Sequence, residues 1–179
     1  MRSKAAHMNS KWIWALVASA LGLGVYAANG LATPQADVSP PPPKTTILAT
    51  SVFGELHLKA HTIPANQWRL RLRTHGLSDA YVVDNTFAPG ATTGWHSHPG
   101  PSLVLVRSGS VTNHSSDQPA CAGQTYNAGD SFVDEGGDHI HMLRNPSTTE
   151  TAETIAVQIL PHGAPRKTDA DEPKTCHIH

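Results

Sequence analysis

Apolar and polar residues alternate along most of the chain between residues 45 and 162. Short runs of this kind, such as "SLVLVRSGSVT" and "TIAVQIL", are separated by turn-forming stretches such as "APGATTG" and "EGGD". Alternation places every second side chain on one face of a strand, whereas the three- and four-residue spacing of an amphipathic helix is almost absent. Many short strands with frequent turns predict an all-β sandwich or barrel.

The first 32 residues depart from this pattern. Three basic residues, Arg2, Lys4 and Lys11, precede an uncharged apolar block that runs from Trp12 to Ala32. A basic start, an apolar core and small residues at its end are typical of a secretory signal peptide. An uncleaved membrane anchor is the alternative, since a spanning helix needs roughly 20 apolar residues. We therefore expect a secreted or periplasmic (cell-envelope) protein or, if the segment is retained, a membrane-anchored one.

Two further segments flank the predicted domain. Residues 33–44 are rich in Pro and predict an extended linker, because Pro cannot continue a helix or a sheet interior. Residues 163–179 are rich in Pro and charge and predict a C-terminal tail that runs over the surface. The globular domain is thus predicted to span residues 45–162.

The net charge and the distribution of basic residues indicate which classes of partner the protein can bind. The chain has 13 Lys and Arg against 14 Asp and Glu; removing residues 1–32 takes three positive charges and leaves 10 against 14, a net charge of −4. Basic residues form only a weak cluster at Arg69, Arg71 and Arg73, so the footprint of a nucleic-acid-binding protein is missing. We expect a small-molecule partner and no nucleic acid.

The two cysteines, Cys121 and Cys176, both lie in the part of the chain that would be exported. In an oxidising compartment an isolated pair most simply forms one disulfide. The alternative is that Cys176 binds a metal ion together with His177 and His179 in the terminal "CHIH".

Four of the twelve histidines form two pairs with one residue between the partners: His96 and His98, then His139 and His141. On a strand, residues i and i+2 share a face, so each pair aims both rings the same way. Two such pairs on neighbouring strands can converge on one point, and imidazole is a preferred ligand of Zn, Cu, Fe and Ni. The alternative is that the histidines are half-buried and bond to the backbone. The acidic residues beside the second pair are interpreted as solvated turn acids: Asp130, Asp134, Glu135 and Asp138.

The segment from Gly90 to Gly109 resembles the first conserved motif of the cupin superfamily. In that motif a Gly is followed after five residues by His-x-His, and then by a Glu and a Gly at set spacings. Here Gly90, His96, His98 and Gly109 fall in register, and Ser102 occupies the Glu position.

The segment from Gly129 to Asn145 resembles the second cupin motif. Glu135 replaces the Pro of that motif, and His141 and Asn145 keep its final His-x3-Asn spacing with one extra residue before them. His139 is a near neighbour, so either histidine can be the one that matches.

The resemblance implies a single cupin β-barrel, a double-sheet jelly roll, with a divalent metal ion held by three imidazoles. By position the ligands would be His96, His98 and His141. Two neighbours, His139 and Ser102, are candidates for a fourth ligand or for a hydrogen-bond partner of the ligands. A hydroxyl is a poor ligand, so Ser102 is expected to support a bound water. The ion would be Fe, Mn, Zn, Ni or Cu. Catalytic residues other than the metal ligands are not indicated, nor is an organic cofactor.

Two functions follow from this resemblance. The first is an exported metal-binding protein that acts as a dioxygenase-type enzyme on a small molecule. The second is a non-enzymatic module of the cell envelope that binds a small ligand or the metal itself, with the "CHIH" tail assisting in metal handling. Cupin barrels often pair edge to edge, so a homodimer is also expected.

Overall fold

The computed structural model describes residues 39–62 and 68–176. The predicted signal peptide or anchor, residues 1–32, lies outside this part of the chain, as do residues 33–38 of the linker and the last three residues of the tail. No helix within the described ranges is long and apolar enough to cross a membrane.

Twelve β-strands and one short 3-10 turn, Pro119–Cys121, account for the regular structure of the described residues. The strands are β1 Lys44–Phe53, β2 His57–His61, β3 Arg69–Arg73, β4 Ser78–Phe87, β5 His96–Ser97, β6 Ser102–Ser108, β7 Ser110–Ser115, β8 Gly123–Asn127, β9 Ser131–Asp134, β10 His141–Arg144, β11 Ala152–Pro161 and β12 Thr168–Asp169.

The strands form two antiparallel five-stranded sheets and one separate hairpin. The first sheet has the order β1-β4-β11-β6-β9, and the second has the order β12-β5-β10-β7-β8. Strands β2 and β3 make the hairpin. The prediction of an all-β chain with a double sheet is therefore confirmed for the described residues.

Alternation along the strands builds the core. Buried and half-buried residues alternate along β11, and β6 buries Ser102, Val104 and Val106 while the residues between them face outward. This is the two-residue period that a sheet with one buried face requires. The core draws on both sheets, and its buried members are Val83, Phe87, Ala91, Val104, Val106, Val111, Phe132, Leu143, Ala152 and Ala156.

Asn145 fixes the turn that leads from β10 into β11. Its side chain is fully buried, and its amide nitrogen donates to the carbonyl oxygens of Phe87, Ala88 and Glu150 at 2.8–3.1 Å. Its side-chain oxygen accepts a hydrogen bond from the backbone N–H of Ser147 at 3.0 Å. One buried side chain thus satisfies backbone groups that have no partner in a sheet.

The C-terminal segment takes part in the second sheet. Thr168 pairs with Ser97 and Asp169 with His96, so the two residues of β12 extend this sheet beside β5. Further along, Cys176 is buried and forms a disulfide with Cys121, as predicted from the sequence. The sequence analysis predicted a surface tail here and did not identify β12. A strand of two residues is too short to leave an alternating pattern in the sequence.

Candidate metal centre

Three of the predicted ligands lie together between two short strands. His96 in β5 and His141 in β10 are direct partners in the antiparallel register, so their side chains share a face. Their ring centroids are 4.4 Å apart, and the ring of His98, two residues after His96, is 4.8 Å from that of His96. The ligating nitrogens of all three lie within 4.8 Å of one another.

The hydrogen bonds of these histidines set which ring nitrogen carries the proton. In each ring Nδ1 faces an accepting oxygen. The Gln158 amide nitrogen also lies 3.3 Å from Nδ1 of His98, but the Arg166 carbonyl oxygen is closer. We therefore assign the proton to Nδ1 and the lone pair to Nε2 in all three rings. The bonds run from His96 to the Gly94 carbonyl at 2.9 Å, from His98 to the Arg166 carbonyl, and from His141 to the side-chain oxygen of Asn113 at 3.2 Å. The three Nε2 atoms are thus the ones available to a cation.

Burial keeps two of the rings neutral. His96 and His141 are 2% and 1% exposed. Loss of hydration lowers the pKa of His96 to about 4 and that of His141 to about 2. Neutral imidazole is the form that binds metal ions, so these two rings are in their ligating form well below pH 7.

The two remaining candidates, His139 and Ser102, are bound elsewhere. Nδ1 of His139 lies 2.6 Å from a carboxylate oxygen of Asp117, and its Nε2 is 3.1 Å from the Ser115 hydroxyl. The hydroxyl of Ser102, which is buried, accepts a hydrogen bond from the Gln158 amide at 3.1 Å. Both lie close to the centre, but neither belongs to the cluster of converging nitrogens.

Asp134 is the residue that the sequence interpretation missed. It was taken for a solvated turn acid, yet it is 1% exposed and its Oδ2 lies 3.7 Å from His141 Nε2 and 3.8 Å from His98 Nε2. Desolvation raises the pKa of this carboxyl group. The signal was present in β9, because Phe132 and Asp134 occupy alternate positions and a strand that buries the first also buries the second.

Two buried atoms at the centre have no hydrogen-bond partner among the described residues. They are Oδ2 of Asp134 and Nε2 of His141, and both present lone pairs toward the same space. Two unpaired acceptors repel each other and would be costly to bury, whereas a cation between them satisfies both. The residues present therefore fit a divalent metal ion.

Close contact between two glycine-containing turns brings the two sides of the centre together. A Cβ on Gly136 would lie 2.4 Å from the carbonyl oxygen of Gly100, so only glycine fits there. The neighbouring Gly137 N–H donates to the His98 carbonyl at 2.7 Å. This contact holds the turn that follows Asp134 against the turn that follows His98.

A cavity of about 300 Å³ opens beside the histidines. Its wall is mostly apolar, as in many small-molecule sites, and it draws residues from both sheets and from the C-terminal segment. Among its lining residues are Val83, Phe87, His96, His98, Ser102, Val104, His141, Gln158, Arg166 and Lys167.

Several solved structures resemble the described part of the chain, among them two cupin proteins. A cupin domain from Bordetella pertussis Tohama I has 18% sequence identity and a TM-score of 0.44 over 68% of this chain and 96% of its own. A Klebsiella pneumoniae protein with a double-stranded beta-helix domain has 17% identity and a TM-score of 0.47 over 73% and 86%. A cupin superfamily protein from Desulfitobacterium hafniense has 15% identity and a TM-score of 0.40 over 45% and 67%.

At these identities the likeness concerns the fold and says nothing about activity. No family model matches the sequence, and no curated protein matches it either. The chemistry of the centre therefore has to be inferred from the residues of this chain.

Replacing Gly136 with Ala should lower the free energy of unfolding more than the same change at Gly137. Both residues have positive φ, +76° and +70°, so both variants carry the backbone strain of a left-handed alanine, about 1–2 kcal/mol. Only the Gly136 variant adds a clash with the Gly100 carbonyl, and overpacking of this kind costs about 1–3 kcal/mol more. Denaturant unfolding of both variants measures the difference. Equal losses of stability would show that the close contact between Gly136 and Gly100 does not affect the free energy of unfolding.

Proposed function

We propose that this chain is a metal-binding barrel protein in which His96, His98 and His141 hold one divalent ion beside a small-molecule cavity. One observation carries the proposal: each Nδ1 of the cluster lies against an accepting oxygen, and the three rings bring one nitrogen each to within 4.8 Å of one another. Hydrogen bonding of the distal ring nitrogen is the usual way in which proteins orient histidine ligands. Packing alone would also hydrogen-bond a buried Nδ1–H group, but it gives no reason for Nε2 of His141 to be buried without a partner among the described residues.

The donor set narrows the choice of ion. Imidazole nitrogens suit Fe, Zn, Ni and Cu, and mixed nitrogen and oxygen surroundings also admit Mn. When bound, such an ion supplies Lewis acidity and, if it is Fe or Mn, redox chemistry with oxygen. The protein's own residues hold the ion in place, exclude bulk water through the burial of His96 and His141, and leave the cavity side open.

Arg166 gives the cavity a preference for anions. Its guanidinium donates to the Gln158 side-chain oxygen at 3.3 Å and lies 5.8 Å from the centre of the Tyr81 ring, and both of these partners are neutral. Lys167, by contrast, is paired with the Asp169 carboxylate at 2.7 Å. Among the described residues no carboxylate pairs with the Arg166 guanidinium. A guanidinium in an apolar wall favours a planar anion, and a carboxylate matches its fork of donors. The proposed ligand is therefore a small organic carboxylate.

The function that fits a metal ion next to a carboxylate-binding cavity is a dioxygenase-type metalloenzyme. In this proposal Arg166 orients the substrate carboxylate and the apolar wall holds the rest of the molecule near the metal. The alternative is a non-enzymatic module of the cell envelope, in which the same residues bind the ligand or the ion without turnover. Turnover of a carboxylate by the metal-loaded protein separates the two.

The remaining predictions concern location and assembly. Export through residues 1–32, or anchoring by them, fits a protein with a disulfide, because disulfides form and persist in oxidising compartments. Amino-terminal sequencing of the mature protein tests cleavage.

Self-association into a homodimer is tested by light scattering of the purified protein, and a monomer at all concentrations would contradict it.

Protein prepared without an affinity tag should contain one divalent ion per chain, as measured by elemental analysis. The His141→Ala variant should lose this ion, because it removes one of three converging lone pairs. His139→Ala serves as the matched control, since His139 bonds to Asp117 and Ser115 and should leave the metal content unchanged. A wild-type protein that takes up no ion under any loading condition would refute the proposed function.

The Arg166→Gln variant should lose the preference of the cavity for a carboxylate over its neutral analogue. Calorimetric titration of wild-type protein with benzoate and with its neutral analogue benzamide is expected to favour benzoate by at least tenfold, since hydrogen bonds to charged groups contribute about 1.5–3 kcal/mol. The titrations use metal-free protein, because a bound cation would itself attract benzoate. The variant should then bind both compounds alike, and Lys167→Gln should keep the preference. If wild-type protein binds benzamide as tightly as benzoate, the carboxylate assignment fails.

A further inference from the structure

We infer that Asp134 is a fourth metal ligand, an inference that rests on the proposed function. Ligands about 2.0–2.2 Å from one ion lie about 3.0–4.2 Å from each other, depending on the angle between them. Oδ2 of Asp134 is 3.7 Å from His141 Nε2 and 3.8 Å from His98 Nε2. Both separations fall within this range, whereas the three imidazole nitrogens, which lie within 4.8 Å of one another, would have to draw slightly closer around an ion.

The isolation of Oδ2 supports the same conclusion. The other oxygen, Oδ1, accepts a hydrogen bond from the Gly136 N–H at 3.3 Å, whereas Oδ2 has no partner among the described residues. The Asp134 side chain is fully buried. A carboxylate oxygen in such a place needs either a donor or a cation, and the surrounding nitrogens offer lone pairs rather than hydrogens.

A carboxylate that binds the metal ion and one that only supports a histidine ligand face different nitrogens of the imidazole ring. A carboxylate that only orients a histidine ligand bonds to the nitrogen remote from the metal. In this chain those nitrogens are taken by Gly94, Arg166 and Asn113. Asp134 instead faces the Nε2 atoms, which are the ligating ones, and so it belongs to the coordination shell.

The sheet register explains how a carboxylate reaches this point. Asp134 in β9 is the direct partner of Ser102 in β6. Partners in an antiparallel pair place their side chains on the same face, so Asp134 projects into the space beside a small hydroxyl. With three neutral imidazoles and one carboxylate as ligands, the net charge of a divalent ion together with its ligands is +1.

Asp134→Asn and its neighbour Glu135→Gln form a matched pair, since both remove one negative charge and only Glu135 is exposed. Full-length protein freed of metal is titrated with Zn²⁺, and Co²⁺ spectra report the ligands. Asp134→Asn is expected to weaken Zn²⁺ binding by more than about 100-fold, the upper end of the loss for an outer-shell partner, and to change the Co²⁺ spectrum. Without metal, this variant should be at least as stable as wild type, because it replaces a buried carboxyl group whose Oδ2 has no partner among the described residues.

The outcomes distinguish this inference from the proposed function. Unchanged Zn²⁺ affinity in Asp134→Asn, with binding lost in His141→Ala, would overturn the fourth ligand and leave the metal site standing. A metal-free Asp134→Asn protein that melts below wild type would assign Asp134 a structural role and overturn the inference. Wild-type protein that binds no metal would overturn both.

An independent observation concerns the β2–β3 hairpin. Its register places His57 opposite Arg73, Lys59 opposite Arg71 and His61 opposite Arg69. Partners share a face, so one face of the hairpin carries six basic side chains, all of them exposed. Lys59 and Arg71 are like charges placed opposite each other, an arrangement that destabilises a sheet. His57 lies 3.7 Å from the Glu55 carboxylate, but no acidic group of the described residues pairs with Lys59 or with the three arginines.

The opposite face of the hairpin is apolar. Leu58 pairs with Leu72 and Ala60 with Leu70, and Trp68 continues this face just before β3. Leu58, Leu70 and Trp68 are 46%, 39% and 55% exposed. A cationic face backed by exposed Leu and Trp is the composition of segments that lie in the interface of an anionic membrane.

We propose that this hairpin binds the surface of an anionic lipid bilayer. The apolar face would enter the boundary between headgroups and acyl chains, and the basic side chains would reach the headgroup charges. A dissolved polyanion would use the basic face alone and leave the exposed Leu and Trp side chains without a role. Charge complementarity together with the apolar face therefore favours a lipid surface.

Sedimentation of full-length protein with vesicles tests this proposal. Vesicles of phosphatidylcholine with phosphatidylserine should bind wild-type protein at least tenfold better than phosphatidylcholine alone. Each basic residue near an anionic surface contributes about fivefold, so Arg69→Gln/Arg71→Gln/Arg73→Gln together should cost on the order of 100-fold. The matched control, which removes the same charge from exposed positions elsewhere, is Lys44→Gln/Arg107→Gln/Lys174→Gln.

Binding that survives the three hairpin substitutions, or that the control triple variant loses equally, would overturn the proposal. A Leu58→Ser/Leu70→Ser variant tests the apolar face and should also release the protein from vesicles. If it binds as wild type does, or if wild-type protein binds heparin in preference to anionic vesicles, the partner is a polyanion and the bilayer assignment fails.

Discussion

The register between β5 and β10 is the constraint on which the metal centre depends. It places His96 opposite His141, and a slip of one residue would turn His141 away and bring Met142 into its position. The two strands are too short, at two and four residues, to hold this register alone. Neighbouring contacts therefore have to fix it.

Those contacts lie on both sides of β10. Thr93, just before β5, donates its backbone N–H to the Leu143 carbonyl, and its hydroxyl accepts the Leu143 N–H, each at 2.9 Å. On the other side β7 pairs with all four residues of β10 and carries Asn113, the partner of His141. The strand that aligns the register thus also fixes the orientation of one ring, so packing and ligand geometry are set by the same elements.

The sequence was enough to predict the sheets and the histidines, because both leave local periodic signals. Alternation identified most strands, and the His-x-His spacing placed two rings on one face. Asp134 was misinterpreted since its charge and its place next to a Gly-rich turn suggested solvent, whereas its burial depends on the β6–β9 pairing. Asn113 could not be identified either, because its contact with His141 joins residues 28 positions apart. The burial of Asp134 and the contact of Asn113 with His141 both depend on long-range strand register, which residue type does not reveal.

The C-terminal segment shows how a site can depend on backbone groups as well as on side chains. The Arg166 carbonyl orients His98, Asp169 pairs with the backbone of His96, and the Lys167 side chain donates to the Thr93 carbonyl at 3.0 Å. The Cys121–Cys176 disulfide ties this segment to the second sheet. Because a covalent bond limits how far the segment can move, it maintains the carbonyl that keeps His98 in its ligating tautomer, and the stability of the tail becomes part of the affinity of the centre for its ion.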